Sequence, residues 1–137
     1  MPFPPKRTTT YNQGRQLVDG ADMQALFDAA QSSQQLNPAG AVSQAGATAI
    51  NAVFVEVLAG AAASAVLLPP SYPGAEVNIL NNSSNSQQVF GSGADVVQSG
   101  TSPGTFAAAA TGVTLTTLNS VRFFCIKTGF WQRVVTS

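Results

Sequence analysis

The sequence predicts a mainly β protein, with a β-sandwich or jelly-roll-like domain that follows an extended N-terminal arm and one short amphipathic helix. Apolar and polar residues alternate in short runs from Ala47 onward, which is the period of half-buried strands. Clusters of Gly, Pro, Asn and Ser separate these runs. About eight runs follow one another at a spacing of roughly 8–12 residues, which is typical of a sandwich or barrel, with jelly-roll topology possible.

The same patterns divide the chain into segments. They are an arm over residues 1–18, a helix over 19–31, a loop or linker over 32–46 and a β-sandwich domain over 47–137. In the arm, Pro2, Pro4 and Pro5 fix φ and remove backbone donors. Its basic residues have no acidic neighbour before Asp19, so the arm either lies on an acidic partner surface or is a solvated tail.

Residues 19–31 have the pattern of an amphipathic helix. Asp19 is a suitable N-cap, where a carboxylate favours the positive end of the helix dipole. Apolar residues recur at helical spacing and form one stripe: Met23, Leu26, Phe27 and Ala30. This stripe either covers one end of the β domain or docks on a partner. Residues 32–46 show no periodicity and contain Pro and Gly, which indicates a loop.

Two β-hairpins are predicted within the domain. Residues 74–90 alternate in polarity, pass through a polar run at 81–86 and return to apolar residues, which indicates a hairpin with a long turn. Residues 121–127 and 130–135 are predicted to pair around Thr128-Gly129 and to close the domain.

Some strands carry large apolar side chains on the face that turns away from the core. Phe124 and Ile126 share the outer face of strand 121–127, and Phe54 and Leu58 share the outer face of an earlier strand. An outer face with large apolar residues needs cover. The helix or a neighbouring subunit would provide it, and we expect at least one subunit contact.

The composition favours a protein that works in contact with other proteins. Charged residues make up 9% of the chain and the net charge is zero, against about 25% charged residues in ordinary domains. A neutral, sparsely charged surface favours association, although a β domain that is merely poor in charge is the alternative. We expect no nucleic-acid contact, because there is no basic face, and no membrane span, because no run of about 18 apolar residues occurs. The first residues lack the apolar region of a signal peptide, so we expect synthesis in the cytosol.

We expect neither catalysis, a cofactor nor a metal. The chain has no histidine, which is the commonest general base and metal ligand. Cys125 has no base partner in the pattern and is interpreted as a small core residue. Glu56 and Glu76 stand on different strands, whereas a glycosidase needs two carboxyl groups about 5–10 Å apart.

The aromatic residues near the C-terminus allow two interpretations. Trp131, with Phe130, Tyr72 and Phe90, would form a sugar-stacking platform if these rings were exposed. Trp131 has apolar neighbours in a terminal strand, which favours core packing instead.

Residues 66–135 contain a characteristic order of turns and strands. It includes Leu67-Leu68-Pro69, Pro73-Gly74-Ala75-Glu76-Val77-Asn78-Ile79, Asn81, Val89-Phe90, Gly93-Ala94-Asp95, Val121-Arg122-Phe123-Phe124 and Thr128-Gly129-Phe130-Trp131. This order resembles a β-rich module of tailed-bacteriophage virion proteins. Within that class, a short neutral chain with an N-terminal arm is similar to a capsid decoration or cement protein of a short-tailed phage.

The resemblance implies a structural protein on the outer surface of the virion capsid, made in the host cytoplasm. It implies two partners, the major capsid protein and further copies of the same chain as a dimer or trimer, and no catalytic residues. We predict contact residues in the arm, on the helix stripe and on the outer strand face. They are Pro4, Lys6, Arg7, Thr8, Thr9, Thr10, Tyr11, Arg15, Met23, Leu26, Phe27, Phe124 and Ile126. The alternative is a head- or tail-fibre module that binds host surface glycans.

Overall fold

The computed structural model describes residues 32–136, and these residues fold as a two-sheet β-sandwich. The arm predicted over 1–18 and the helix predicted over 19–31 lie outside the described residues. Within the described part, ten strands follow one another without a helix. They are β1 (Ser33–Leu36), β2 (Thr48–Ala49), β3 (Phe54–Val57), β4 (Ser64–Leu67), β5 (Glu76–Asn81), β6 (Gln87–Phe90), β7 (Val96–Val97), β8 (Val113–Leu115), β9 (Ser120–Lys127) and β10 (Phe130–Thr136).

The strands form a six-stranded sheet A and a four-stranded sheet B. The order is β1-β3-β5-β9-β10-β7 in sheet A and β2-β4-β6-β8 in sheet B. The first six strands alternate between the sheets, and each of the first four pairs in parallel with the strand two places further along the chain. In sheet A, for example, Ser33 pairs with Phe54, which pairs with Asn78. Residues 33–90 therefore wind as three successive coils between the two sheets.

The strands after β7 add antiparallel pairs to the sandwich, and β10 also pairs in parallel with β7. β8 pairs with β6 in sheet B, β9 pairs with β5 in sheet A, and β10 returns along β9. The predicted hairpin over 121–127 and 130–135 is thus confirmed. Gly129 occupies its turn with φ of +93°, a backbone conformation that favours glycine.

One apolar core lies between the sheets and explains the alternation in the sequence. Val57, Phe123 and Trp131 are fully buried, and they contribute to a cluster that includes residues of both sheets. In β9, Phe123 and Cys125 point into this core, while Phe124 and Ile126 point outward. Both the core position of Cys125 and the outer position of Phe124 and Ile126 are as predicted.

The hairpin predicted over residues 74–90 is wrong. β5 belongs to sheet A and β6 belongs to sheet B, so the two strands do not pair. Alternation identifies a strand but not its partner, and a parallel coil satisfies the same pattern. The polar run at 81–86 is not an exposed turn tip, because Asn81 and Ser83 are buried at the place where the chain crosses between the sheets.

Buried polar side chains form what we call the polar corner: Ser64, Asn81, Ser83 and Gln87. The Ser64 hydroxyl donates to the Ala61 carbonyl at 2.8 Å and also contacts Gln87 Oε1. The Nε2 atom of Gln87 donates to the Asn85 carbonyl at 3.2 Å. Buried polar groups are costly unless they are hydrogen-bonded, and here the loops at the ends of the strands supply the partners.

Two further expectations are corrected. Ser33–Leu36, within the stretch predicted as a loop, forms the edge strand β1, since Leu36 is buried and β1 pairs with β3. The jelly-roll topology is not found, because a jelly roll is built from antiparallel Greek keys and the first three strands of each sheet are parallel.

Candidate functional site

The outer face of sheet A exposes large apolar side chains. The exposed fractions are 51% for Phe54, 42% for Leu80, 45% for Val134 and 71% for Ile126. The outer face of a solvated sheet is normally polar, so this face differs from an ordinary surface. It has two parts, a groove over β1, β3, β5 and β9, and a patch on the β9–β10 hairpin.

The groove is open to solvent and has a volume of about 820 Å³. Ser33, Phe54, Asn78 and Arg122 stand side by side across four neighbouring strands and line this groove. Residues from all four strands line it, among them Gln35, Phe54, Glu56, Asn78, Leu80 and Arg122. The groove therefore combines one exposed aromatic ring with amide, carboxylate and guanidinium groups.

Two hydrogen-bond networks hold the carboxylates of this face in place. Glu56 accepts hydrogen bonds from Gln35 Nε2 and Asn82 Nδ2, both at 3.1 Å. The other carboxylate, Glu76, stands beside the groove and accepts hydrogen bonds from Asn78 Nδ2 and Arg122 Nη2, both at 2.9 Å. Each carboxylate is thus fixed by side chains of neighbouring positions or strands.

The surroundings of Glu76 favour its charged form. The hydrogen bond from Asn78 lowers the pKa of the Glu76 carboxyl from its ordinary value, partial burial opposes this, and the nearby Arg122 guanidinium lowers the pKa further. Glu76 and Arg122 are therefore a charged pair at neutral pH.

The strand register separates Glu56 from Glu76. Phe54 pairs with Asn78, so the two glutamates lie four positions apart along the β3–β5 ladder. At a rise of about 3.3 Å per residue this is roughly 13 Å. The separation exceeds the about 5–10 Å between the carboxyl groups of a glycosidase, so this pair does not have that geometry.

The second part of the outer face is the hairpin patch, formed by Phe124, Ile126 and Val134. Phe124 is half-buried, and its ring centroid lies 5.9 Å from the Arg122 guanidinium. Ile126 projects into solvent near the end of β9. The patch contains the two predicted contact residues that fall within the described chain, and their role in partner binding stays a prediction.

The remaining predicted contact residues lie outside the described residues. These are Pro4, Lys6, Arg7, Thr8, Thr9, Thr10, Tyr11, Arg15, Met23, Leu26 and Phe27. The structure accordingly adds nothing to the prediction that the arm and the helix stripe bind a partner.

The aromatic platform considered around Trp131 does not form. Trp131 and Phe90 are buried, at 0% and 5% exposed. Phe130 packs edge-to-face against Phe106, with ring centroids 5.1 Å apart. Tyr72 is exposed, but Trp131 and Phe90 are not exposed beside it to form a platform. The sequence did indicate that Phe54 faces outward, but it did not indicate that amide and carboxylate groups of neighbouring strands surround it.

Residues 32–136 contain neither a cluster of metal-ligating side chains nor a membrane-spanning helix. No three metal-ligating side chains of the His, Cys, Asp and Glu types come together there. No helix in this part has the length and apolar character needed to cross a membrane.

Comparisons with protein-family models, with curated proteins and with solved structures gave no match.

Proposed function

We propose that this protein is a structural virion protein that binds the outside of a phage capsid as a homo-oligomer and cements neighbouring capsomers. The hairpin patch carries the proposal, because Ile126 is 71% exposed and Phe124 and Val134 lie on the same outer face. Large apolar side chains on one outer sheet face are typical of surfaces that need cover from another protein.

The chemistry of the patch fits a protein partner. Aromatic residues and arginine are enriched in the buried centres of protein interfaces, and Phe124 lies beside Arg122 here. The chain as a whole has only 9% charged residues, which lowers the cost of desolvating its surface on association. The resemblance of residues 66–135 to a phage virion module supplies the class of partner.

Cementing requires no bond formation. A protein that binds only the assembled shell stabilises that shell by RT ln(1 + [L]/Kd), where [L] is its free concentration. Many copies, each bound across two capsomers, add these contributions. A rigid β body with an adhesive outer face meets this requirement.

The test is the presence of the chain in purified virions, measured by quantitative mass spectrometry against the major capsid protein. We expect a fixed ratio between the two proteins, and we expect heads that lack this chain to release their DNA at a lower temperature. Complete virions without this chain, or heads of unchanged thermal stability after its removal, would overturn the proposal.

A further inference from the structure

We propose that the groove over β1, β3, β5 and β9 is a binding site for a neutral oligosaccharide. Arg122 lies between this groove and the hairpin patch. The residues that carry the inference, Phe54 and Glu56, belong to β3 and not to the hairpin, so the inference does not depend on capsid binding. Four observations carry it: the size of the groove, an exposed aromatic ring, pre-organised polar groups and the local charge.

The size of the groove suits a short oligosaccharide. Sites for small ligands typically measure about 300–1,000 Å³, and this groove measures about 820 Å³. It crosses strands rather than forming a closed cavity, because its residues come from β1, β3, β5 and β9. Such a shape accepts a chain of sugar rings that extends beyond the groove.

Phe54 provides the surface on which a sugar ring can stack. Its side chain is 51% exposed although it belongs to β3, an inner strand of sheet A with a partner on each side. The positive C–H edges of a pyranose face pack well on the negative face of an aromatic ring. A ring on a paired strand is held more rigidly than a ring on a loop, which lowers the entropy lost on binding.

The polar groups are arranged to bind hydroxyl groups. Gln35 and Asn82 hold the Glu56 carboxylate from two sides, and each hydrogen bond uses only one lone pair of the oxygen it reaches. The remaining lone pairs of Glu56 can accept hydrogen bonds from neighbouring sugar hydroxyls. Asn78, which lines the groove, is likewise fixed by its bond to Glu76.

The local charge selects against acidic ligands. Arg122 lines the groove, but its guanidinium already pairs with Glu76 at 2.9 Å, and Glu56 adds a second carboxylate. A phosphate, a sulfate or an acidic sugar would meet this negative charge. Neutral hydroxyl-rich rings avoid it, which is why we assign a neutral sugar.

The experiment uses the full-length chain on an array of neutral and acidic glycans, followed by NMR titration with the strongest neutral ligand. Phe54→Ala and Glu56→Gln test the groove. Tyr72→Ala is the matched aromatic control, because Tyr72 is 62% exposed and does not line the groove. Circular dichroism and thermal unfolding confirm that each variant remains folded.

We expect saturable binding of a neutral oligosaccharide, a loss of affinity of about tenfold or more in Phe54→Ala, a smaller loss in Glu56→Gln, and no change in Tyr72→Ala. The proposal is overturned by an array without saturable neutral ligands, by preference for acidic glycans, or by unchanged affinity in folded Phe54→Ala. Ile126→Asp should leave sugar binding unchanged, which separates this result from the capsid proposal. If Phe54→Ala instead removes capsid binding and no sugar binds, the groove is part of a protein interface and the sugar assignment is wrong.

Discussion

The Oδ1 atom of Asn81 accepts two hydrogen bonds from Ser83, one from its backbone amide at 3.1 Å and one from its hydroxyl at 2.7 Å. The Nδ2 atom of Asn81 donates to the carbonyls of Asn85, Leu115 and Thr116 at 2.9–3.3 Å. One buried side chain thus ties the end of β5 to the segment that leaves β8. These bonds satisfy backbone groups at the crossing between the sheets.

Replacement of Asn81 by Ala should destabilise the fold strongly. The change leaves the Ser83 donors and the carbonyls at 115 and 116 with fewer partners in a buried place, and we expect a loss of about 2–4 kcal/mol in the free energy of unfolding. Urea unfolding measures it. Asn82→Ala is the matched control, because Asn82 is exposed and should cost about 0.5 kcal/mol or less. Equal losses in the two variants would contradict the role of the polar corner.

Gly60 is expected to be required for its small size. A Cβ atom at this position would lie 2.1 Å from Nε2 of the buried Gln87. Because of this overpacking, Gly60→Ala should lower the free energy of unfolding by about 1–3 kcal/mol. A double-mutant cycle with Gln87→Ala identifies the cause, because removal of the Gln87 amide should relieve the clash and make the two losses less than additive. Additive losses would show that the contact is not responsible.

Trp131 should support the core through its volume and not through its indole N–H. The side chain is fully buried, and no group among residues 32–136 accepts a hydrogen bond from Nε1. We therefore expect the free energy of unfolding to fall by about 3–5 kcal/mol in Trp131→Ala and by about 1–2 kcal/mol in Trp131→Phe. Thermal and denaturant unfolding measure both losses. A loss in Trp131→Phe as large as that in Trp131→Ala would show that the N–H has a partner.

The Glu76 carboxyl should make stability depend on pH below neutrality. The pKa of this carboxyl is lowered in the folded state, mainly by the hydrogen bond from Asn78. The charged carboxylate therefore stabilises the fold at pH values above the ordinary pKa of 4.5. This stabilisation is lost as the pH falls through the lowered pKa of the folded state. At pH 7 the free energy of unfolding of the wild type should exceed that of Glu76→Gln by no more than about 1 kcal/mol, because the ion pair between Glu76 and Arg122 is exposed. Urea unfolding from pH 7 to about 3 should show this difference vanish. A constant difference across that range would argue against the pair.

Local sequence patterns predicted the strands of this fold better than their partners. The alternation in β9 correctly assigned Phe123 and Cys125 to the core and Phe124 and Ile126 to the outer face, because period-two polarity is a property of the strand itself. The turn at Gly129 was likewise evident, since β9 and β10 are adjacent in sequence.

The coiled topology could not be predicted in the same way. Asn81 and Ser83 are turn-forming residue types, and the same types fill a buried corner when distant carbonyls satisfy them. The partners of Asn81 at Leu115 and Thr116 lie 34 and 35 residues further along the chain, so no local pattern reports the contact. The groove was missed for the same reason, because Gln35 and Glu56 meet only through parallel pairing of β1 with β3.

The most direct test of the proposed adhesive function is co-sedimentation of the full-length chain with purified phage heads that lack it, in two matched variants. Ile126 and Leu118 are apolar and 71% and 72% exposed, but only Ile126 belongs to the hairpin patch. We predict that Ile126→Asp weakens head binding by at least about tenfold, because a charge would have to be buried in the contact, and that Leu118→Asp binds as wild type does. Equal binding by wild type and folded Ile126→Asp would contradict the account.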